Sequence, residues 1–346
     1  MTAPPARLLD VAWQRRSGLH DASHTTAYRL INREGDGLPD LAVDRYGDVL
    51  VAHVYSAGRV VDPPMHILRA LAERAGARAV YVKYRPAQAN VLSEQVRAEL
   101  APLVPIWGEA VACVVALEGG LSFEIHPADG LNPGLFLDMR DVRSWVRAVA
   151  AGKTVLNTFA YTCAFGVAAM AGGAARVLNL DISRRVLEWG ARNYALNNLP
   201  AVRTDFVSGD VFDWLRRFAR REERFDMVIL DPPSFSTTRL SRFSVERDLT
   251  ELVRLGAQIV QPDGVLIVAT NHHQMAQPAF HRRVREGLRE SAARVVRTFH
   301  EPAPDFPLAP GQQPYLKVMA VRIGEARSSL TAQRRRTTSR RLPQTD

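Results

Sequence analysis

The stretch Thr154-Val-Leu-Asn-Thr-Phe-Ala-Tyr-Thr-Cys-Ala-Phe-Gly166 decides the fold class, because it reads as a buried strand that enters a loop and then a helix. Apolar runs of strand length follow it at residues 177–180, 202–207, 227–230 and 265–269, with helical segments between them. This alternation is typical of a parallel sheet with helices on both faces. The sequence therefore predicts a doubly wound α/β domain.

Acidic residues follow three further strands of this predicted sheet. Asp181 ends the second strand about 20 residues after the first loop, where a carboxylate accepts hydrogen bonds from a ribose diol. Asp210 ends the third strand, in position to meet an adenine amine, and the fourth ends at Asp231-Pro-Pro-Ser-Phe235. Any one Asp is more often a helix N-cap. The ordered series favours a ligand site at the carboxyl edge of the sheet.

The loop after the first strand restricts the class of cofactor. It lacks the Gly-x-Gly-x-x-Gly pattern, because Cys163 and Ala164 stand where close approach of the backbone to a phosphate requires glycine. A dinucleotide or a nucleoside triphosphate is therefore disfavoured. A cofactor with ribose and adenine but no phosphate fits better, and S-adenosylmethionine has this composition.

Composition bounds the class of protein. The chain has 346 residues, with 47% hydrophobic and 23% charged residues, which excludes a disordered, collagen-like or disulfide-scaffold protein. The formal net charge of +9 comes from 42 Arg and only 3 Lys against 36 acidic residues, and it favours an anionic partner. The only cysteines, Cys113 and Cys163, are too few for a disulfide framework. With no apolar run of signal-peptide or membrane-span length, we expect a cytoplasmic protein without a membrane partner.

Four segments are predicted along the chain. Residues 1–25 form an N-terminal arm, residues 26–115 a small α+β domain for RNA or substrate binding, and residues 116–325 the α/β domain. Residues 326–346 form a basic disordered tail, with six Arg and no acid between Arg327 and Arg341. We expect this tail to add salt-dependent affinity for RNA.

Six motifs together resemble one family over about residues 28–323, namely Gly37-Leu-Pro-Asp-Leu-Ala-Val-Asp-Arg-Tyr-Gly47, Gly134-Leu-Phe-Leu-Asp-Met-Arg140, Leu156-Asn-Thr-Phe-Ala-Tyr-Thr162, Leu180-Asp-Ile-Ser183, Asp231-Pro-Pro-Ser-Phe235 and Tyr315-Leu-Lys317. The chain resembles class I S-adenosylmethionine-dependent methyltransferases that modify bases of bacterial 23S ribosomal RNA. The resemblance implies a Rossmann-like, seven-stranded methyltransferase domain behind the small α+β domain. Family members often begin with a PUA-type RNA-binding module. Because only about 25 residues precede Tyr28, we expect that module to be lost or truncated here.

The resemblance and the strand ends together predict the site residues. The cofactor-binding set, in which Phe136, Asp138 and Arg140 pack over the cofactor, is Phe136, Asp138, Arg140, Asn157, Phe159, Tyr161, Asp181, Ile182, Asp210 and Val211. The catalytic set is Asp231, Pro232, Pro233, Phe235 and Asn271. In the catalytic set, the prolyl turn aims acceptors at a base nitrogen and Phe235 stacks on the flipped base. The alternative is a stiffened turn with Phe235 in the core.

Two branches of the family differ at the end of the fifth strand, which here reads Ala269-Thr-Asn-His-His273. In the cytosine-C5 branch a nucleophilic Cys precedes a His pair, and Thr270 occupies that position in this chain. The guanine-N7 branch has Asn after the fifth strand, as this chain has at Asn271, and it shares the Leu187-Glu-Trp189 motif. The sequence therefore favours methylation of a guanine nitrogen, with cytosine-C5 methylation and a non-catalytic RNA-binding protein as alternatives.

Two further features are interpreted from residue type alone. The His pair lacks partner residues at metal-ligand spacing, so we predict no metal. The helical stretch from Pro278 to Arg289 carries four Arg, which either face solvent or bind RNA phosphates. The sequence leaves the oligomeric state open.

Overall fold

Two sheets organise the computed structural model, which describes residues 5–56, 61–86, 99–237 and 242–324. The helices are α1 (Pro5–Arg15), α2 (Ser17–His20), α3 (Met65–Ala75), α4 (Arg140–Val149), α5 (Ala164–Ala171), α6 (Arg184–Leu196), α7 (Val211–Arg220), α8 (Val245–Gln258) and α9 (Gln277–Gly287). The strands are β1 (Ala27–Asn32), β2 (Leu41–Tyr46), β3 (Val49–Ser56), β4 (Ala79–Pro86), β5 (Trp107–Gly108), β6 (Val114–Glu118), β7 (Leu121–Ile125), β8 (Thr154–Thr158), β9 (Arg176–Asp181), β10 (Phe206–Ser208), β11 (Phe225–Leu230), β12 (Phe235–Thr237), β13 (Arg242–Ser244), β14 (Val260–Thr270), β15 (Ala293–Phe299) and β16 (Lys317–Ile323).

The first sheet has five strands in the order β1-β2-β3-β4-β5. Strands β3 and β4 are parallel and are joined through α3, whereas the other neighbours are antiparallel. Apolar side chains alternate along β3 and β4, so that Leu50, Ala52, Val80 and Val82 pack in one cluster with α1 and α3. The predicted α+β character of this part of the chain is confirmed.

The second sheet has seven strands in the order β10-β9-β8-β11-β14-β16-β15. The first five are parallel, and β16 runs antiparallel to both of its neighbours. Helices cover both faces of the central strands, which explains why those strands read as continuous apolar runs. The predicted α/β, Rossmann-like fold is confirmed. One predicted strand is wrong in extent: residues 203–205 form a 3₁₀ turn, and β10 begins only at Phe206.

A β-hairpin of β6 and β7 lies between the two sheets, and the predicted boundary at residue 116 falls within it. Its Phe123 and Ile125 pack in one apolar cluster with Val51 and Tyr81 of the first sheet and with Val167 of α5. The two parts of the chain therefore share a core, and the hairpin joins them.

At the amino terminus, the predicted arm contains α1 and α2, which pack against the first sheet. The predicted basic tail lies outside the described residues. Within the described ranges, no helix has the length and apolar character needed to cross a membrane.

Candidate active site

A cavity of about 370 Å³ opens at the carboxyl ends of the parallel strands of the seven-stranded sheet. Five successive parallel strands end at this edge, so the residues that follow each strand converge there. Twelve of the predicted site residues line the cavity: Phe136, Asp138, Phe159, Tyr161, Asp181, Ile182, Asp210, Val211, Asp231, Pro232, Pro233 and Asn271.

Three predicted residues do not take the expected position. Arg140 is not among the described residues that line the cavity and forms a two-bond ion pair with Asp305, at 2.6 and 2.8 Å, so its closing over the cofactor stays a prediction that this arrangement does not support. Asn157 is buried inside the sheet, where its amide donates to Asn179 at 2.9 Å. Phe235 begins β12, but its side chain lies outside the described part of the structure, so its stacking role stays a prediction.

The loop after β8 has an unusual backbone. Phe159, Tyr161 and Cys163 have φ values of 52°, 47° and 59°, in the left-handed region that side chains with a Cβ rarely occupy. Each such residue costs on the order of 1–2 kcal/mol. A loop without glycine therefore makes the sharp turns that glycine makes in phosphate-binding loops, and it does so at an energetic cost that its surroundings must offset.

Contacts with Gly134 and with α6 hold this loop in place. The Thr162 hydroxyl donates to the Gly134 carbonyl at 2.6 Å, and the Asn193 amide of α6 donates to the Thr162 carbonyl at 2.9 Å. Gly190 of α6 lies so close to Cys163 that a Cβ added to this glycine would approach Sγ to 2.2 Å. The shape of the loop thus depends on the close approach of α6.

Asp181 connects this loop to the end of β9. One carboxylate oxygen accepts the Tyr161 N–H and the other accepts the Ser183 N–H, each at 2.9 Å. Burial raises the pKa of Asp181, while these amide hydrogen bonds oppose the rise. Each carboxylate oxygen has two lone pairs, so the group can also accept hydrogen bonds from ligand hydroxyls.

Asp210 has two roles at the end of β10. It is the N-cap of α7, where one carboxylate oxygen accepts the Asp213 N–H at 3.2 Å. The N-cap interpretation of this residue is therefore correct, and the residue also lines the cavity. Its second oxygen stays available to a ligand in the cavity.

Aromatic and acidic groups form the wall that precedes α4. The ring of Phe136 lies 5.5 Å from that of Tyr161, and 38% of the Phe136 residue surface is exposed at the cavity mouth. Asp138 is buried, accepts the Tyr315 hydroxyl at 3.0 Å, and has its pKa raised by burial. Arg143 also lines the cavity, but Glu118 pairs with its guanidinium at 2.6 Å.

Asp231 and Asn271 follow the neighbouring strands β11 and β14, and both line the cavity. Burial, with the nearby charge of Asp138 adding to it, raises the pKa of Asp231 to about 7. Ser234 lies within hydrogen-bond distance of the Asn271 amide oxygen, at 3.3 Å. A neutral solution therefore contains both protonation states of Asp231, and the ionised state is a strong hydrogen-bond acceptor facing the cavity.

The sequence did not predict nine of the residues that line the cavity, namely Asn132, Gly134, Met139, Arg143, Ala160, Thr162, Ala164, Phe165 and Gly209. Some of them lie inside motifs that were recognised: Thr162 ends Leu156-Asn-Thr-Phe-Ala-Tyr-Thr162, and Gly134 begins another. Asn132 carried no sequence signal, because Tyr161 and Arg85 bring it into place from distant parts of the chain.

The charges of the lining favour a cationic ligand. Four carboxyl groups reach the cavity, whereas the one guanidinium among its described lining residues is neutralised by Glu118. Such a lining repels a polyphosphate and suits a ligand that carries a sulfonium cation, hydroxyl groups and an apolar adenine. The residues present therefore fit S-adenosylmethionine.

Comparisons with known proteins identify the family. A model of the S-adenosylmethionine-dependent methyltransferase family matches residues 29–320. Ribosomal RNA large subunit methyltransferase I of Aeromonas hydrophila is 33% identical over 325 residues, which span 91% of this chain and 79% of that protein. Ribosomal RNA large subunit methyltransferase of Deinococcus radiodurans is 34% identical over 328 residues, or 92% and 78% of the two chains.

A solved structure shares the fold. The crystal structure of SMU.776 complexed with SAH superposes with a TM-score of 0.79 at 29% identity, covering 92% of this chain and 80% of that one. The predicted cofactor is thereby confirmed. The chain belongs to the S-adenosylmethionine-dependent methyltransferase family.

Proposed function

We propose that this enzyme methylates a nitrogen of a base, in the first place guanine, in 23S ribosomal RNA. The relatives named as ribosomal RNA large subunit methyltransferases support the substrate class, as does the formal net charge of +9. The choice of a nitrogen rests on one observation, which is the position of the two cysteines.

Neither cysteine of the chain lines the cavity. Cys163 belongs to the loop after β8 and is fully buried, and burial raises the pKa of its thiol well above the usual range. Cys113 is exposed elsewhere, near Glu124, and burial of part of its surface raises its pKa as well. Methylation at cytosine C5 requires a thiolate that adds to C6, so the cavity lacks the group that this reaction needs.

The residue at the expected cysteine position offers no substitute. Thr270 is buried, and its hydroxyl accepts the His272 N–H at 3.2 Å. A hydroxyl is also a far weaker nucleophile than a thiolate at neutral pH. The next residue, Asn271, faces the cavity instead.

Nitrogen methylation requires orientation and no covalent step on the protein. When bound, S-adenosylmethionine supplies an electrophilic methyl group. Ionised Asp231 accepts a hydrogen bond from an N–H of the base. The Asn271 amide forms a hydrogen bond with a second atom on the edge of the same base. The Pro232-Pro233 turn fixes the direction of the neighbouring carbonyl groups.

A separate set of residues is assigned to cofactor binding. Asp181 accepts hydrogen bonds from the ribose hydroxyls, and the free oxygen of Asp210 accepts one from the adenine amine. Phe136 and Tyr161 cover the cavity mouth and exclude water. In this assignment Arg140 stabilises the protein through Asp305 and does not touch the cofactor.

A double variant tests the proposal. Cys113→Ser with Cys163→Ser should transfer methyl groups to unmodified 23S rRNA at a rate within a fewfold of the wild type, and 5-fluorocytidine-substituted RNA should trap neither protein. Because the Cys163 site is tightly packed, Cys163→Ala serves as a second variant, and circular dichroism verifies folding. A folded but inactive double variant, or a covalent adduct on either cysteine, would overturn the nitrogen assignment in favour of cytosine C5.

A further inference from the structure

Helix α9 has a basic face that the active site does not use. His281, Arg282 and Arg285 lie on one side of the helix at helical spacing, and both Arg side chains are exposed. The opposite side buries Phe280 and Val284 in the core beneath α8. The core therefore fixes which side of α9 faces solvent, and that side is basic.

The charges on this face have no internal partner. Among the described residues, no carboxylate lies within 4.0 Å of the guanidinium of Arg282 or Arg285. Elsewhere in the protein, Arg140, Arg143 and Arg254 each pair with an acid. Like charges three residues apart on a helix repel each other, so this arrangement is unfavourable in the absence of an anion.

Neighbouring titratable groups do not cancel the charge. Glu286 lies one helical turn after Arg282 and offsets part of its charge, but it forms no ion pair within 4.0 Å with either guanidinium. Burial lowers the pKa of His281, and the charges of Arg285 and His300 lower it further. His281 thus adds a hydrogen-bonding group to the face, and the two Arg supply the positive charge.

A shallow, open hollow lies along this face. A surface hollow of about 420 Å³ is lined by Gln277, Pro278, His281, Arg282 and Arg285. An amide, an imidazole and two guanidinium groups point to an anion with several acceptor oxygens. A guanidinium binds such an anion through two parallel hydrogen bonds, which matches a phosphate diester.

The position of the helix links the hollow to the catalytic edge. Helix α9 begins six residues after Asn271, which lines the active-site cavity. A base that enters the cavity leaves its flanking nucleotides outside the cavity. Exposed Arg289 and Arg294 continue the basic surface beyond the helix.

From this geometry we propose that the α9 hollow binds backbone phosphates of the RNA strand next to the methylated base. The inference rests on the proposed function, because it assigns a docking site to that RNA. Phosphate contacts carry no sequence information, so the hollow adds affinity for RNA and positions the strand. The active-site cavity selects the base.

The test compares two double variants by filter binding to deproteinised 23S rRNA over a range of salt concentrations. Arg282→Ala with Arg285→Ala should weaken binding about tenfold near 0.1 M salt and reduce the slope of log affinity against log salt by about 2. The control is Arg220→Ala with Arg221→Ala, at the end of α7, where the same charge is removed from an exposed surface away from the cavity. The control should keep the wild-type slope, and both variants should bind S-adenosylmethionine normally by calorimetry.

Two results would overturn the inference. One is an unchanged slope in the α9 variant, and the other is an equal loss in the control, which would show a diffuse effect of net charge. Either result leaves the proposed function standing if the wild type still methylates 23S rRNA. A wild type that binds but does not methylate that RNA would contradict the proposed function and leave the phosphate-binding result valid.

Discussion

The carboxylate of Asp181 accepts the backbone N–H of Tyr161 at 2.9 Å, and Tyr161 has a φ of 47°. A side chain at the end of one strand therefore holds a strained residue in the loop that follows the neighbouring strand. Because the same carboxylate faces the cavity, it supports the loop and is available to the cofactor at once. Loop shape and cofactor affinity should change together when this residue is altered.

Asp181→Ala should weaken binding of S-adenosylmethionine by roughly ten- to a hundredfold, since a charged acceptor is worth about 1.5–3 kcal/mol per hydrogen bond. It should also lower the melting temperature, because two backbone N–H groups lose their acceptor. Calorimetry and thermal unfolding measure the two effects. Asp213→Ala, which removes an exposed carboxylate outside the cavity, is the control. Undiminished affinity in the Asp181 variant would contradict the assignment.

Gly190→Ala should disturb the same loop from the side of α6. The new methyl group would overlap Cys163, at 2.2 Å from Sγ and 2.8 Å from Cβ, so the loop or the helix must move. We expect a loss of about 1–3 kcal/mol in the free energy of unfolding, as is usual for overpacking, and weaker binding of S-adenosylmethionine. Gly18→Ala, which meets no atom within 4 Å, should change neither quantity. Equal behaviour of the two variants in denaturant titrations would argue against the packing account.

The Arg140→Ala variant distinguishes a role of Arg140 in protein stability from a role in cofactor binding. Asp305 is completely buried, and it would keep the Arg29 N–H as a partner but lose both bonds from Arg140. Breaking a buried pair in this way costs on the order of 2–4 kcal/mol. The dissociation constant for S-adenosylmethionine should stay within twofold of the wild type. A tenfold rise in that constant without a loss of stability would restore the original expectation that Arg140 covers the cofactor.

The strand-end residues were predictable because parallel strands place their carboxyl ends at one edge, so Asp181, Asp210 and Asp231 had to converge. The pairing of Arg140 with Asp305 was not predictable, since 165 residues separate them and no local pattern relates them. The β6–β7 hairpin does carry a local signal, because Gly119-Gly120 lies between alternating apolar residues, as is typical of a two-residue hairpin turn.

The backbone of the cofactor loop was also beyond sequence reasoning. The absence of glycine correctly pointed away from a phosphate-binding loop. It gave no indication that Phe159, Tyr161 and Cys163 would adopt left-handed conformations, because contacts from α6 and Asp181 impose them. Local propensity opposes these conformations, and tertiary contacts determine them.

The pKa of Asp231, raised to about 7, predicts a pH dependence for both activity and stability. Methyl transfer should increase as pH rises through about 7, because the ionised carboxylate is a stronger acceptor for the N–H of the base than the protonated group. The stability effect has the opposite sign: the folded state holds this proton up to about pH 7 and the unfolded state releases it near pH 4, so stability falls over that interval.

Asp231→Asn isolates both effects. Its melting temperature should be similar to that of the wild type near pH 4 and higher at pH 8, where an ionised, buried carboxylate costs the wild type roughly 2–4 kcal/mol. Its activity should be low and should lose the rise near pH 7. A variant that is less stable than the wild type at pH 8 would show that Asp231 is not held in a raised-pKa environment.

The most direct test of the account identifies the atom that receives the methyl group. The enzyme is incubated with unmodified 23S rRNA and methyl-labelled S-adenosylmethionine, and the RNA is digested to nucleosides for mass spectrometry. We predict that the label appears in a methylguanosine whose methyl group is on nitrogen. Label in 5-methylcytidine would contradict the central claim that a cavity without a cysteine directs methylation to nitrogen.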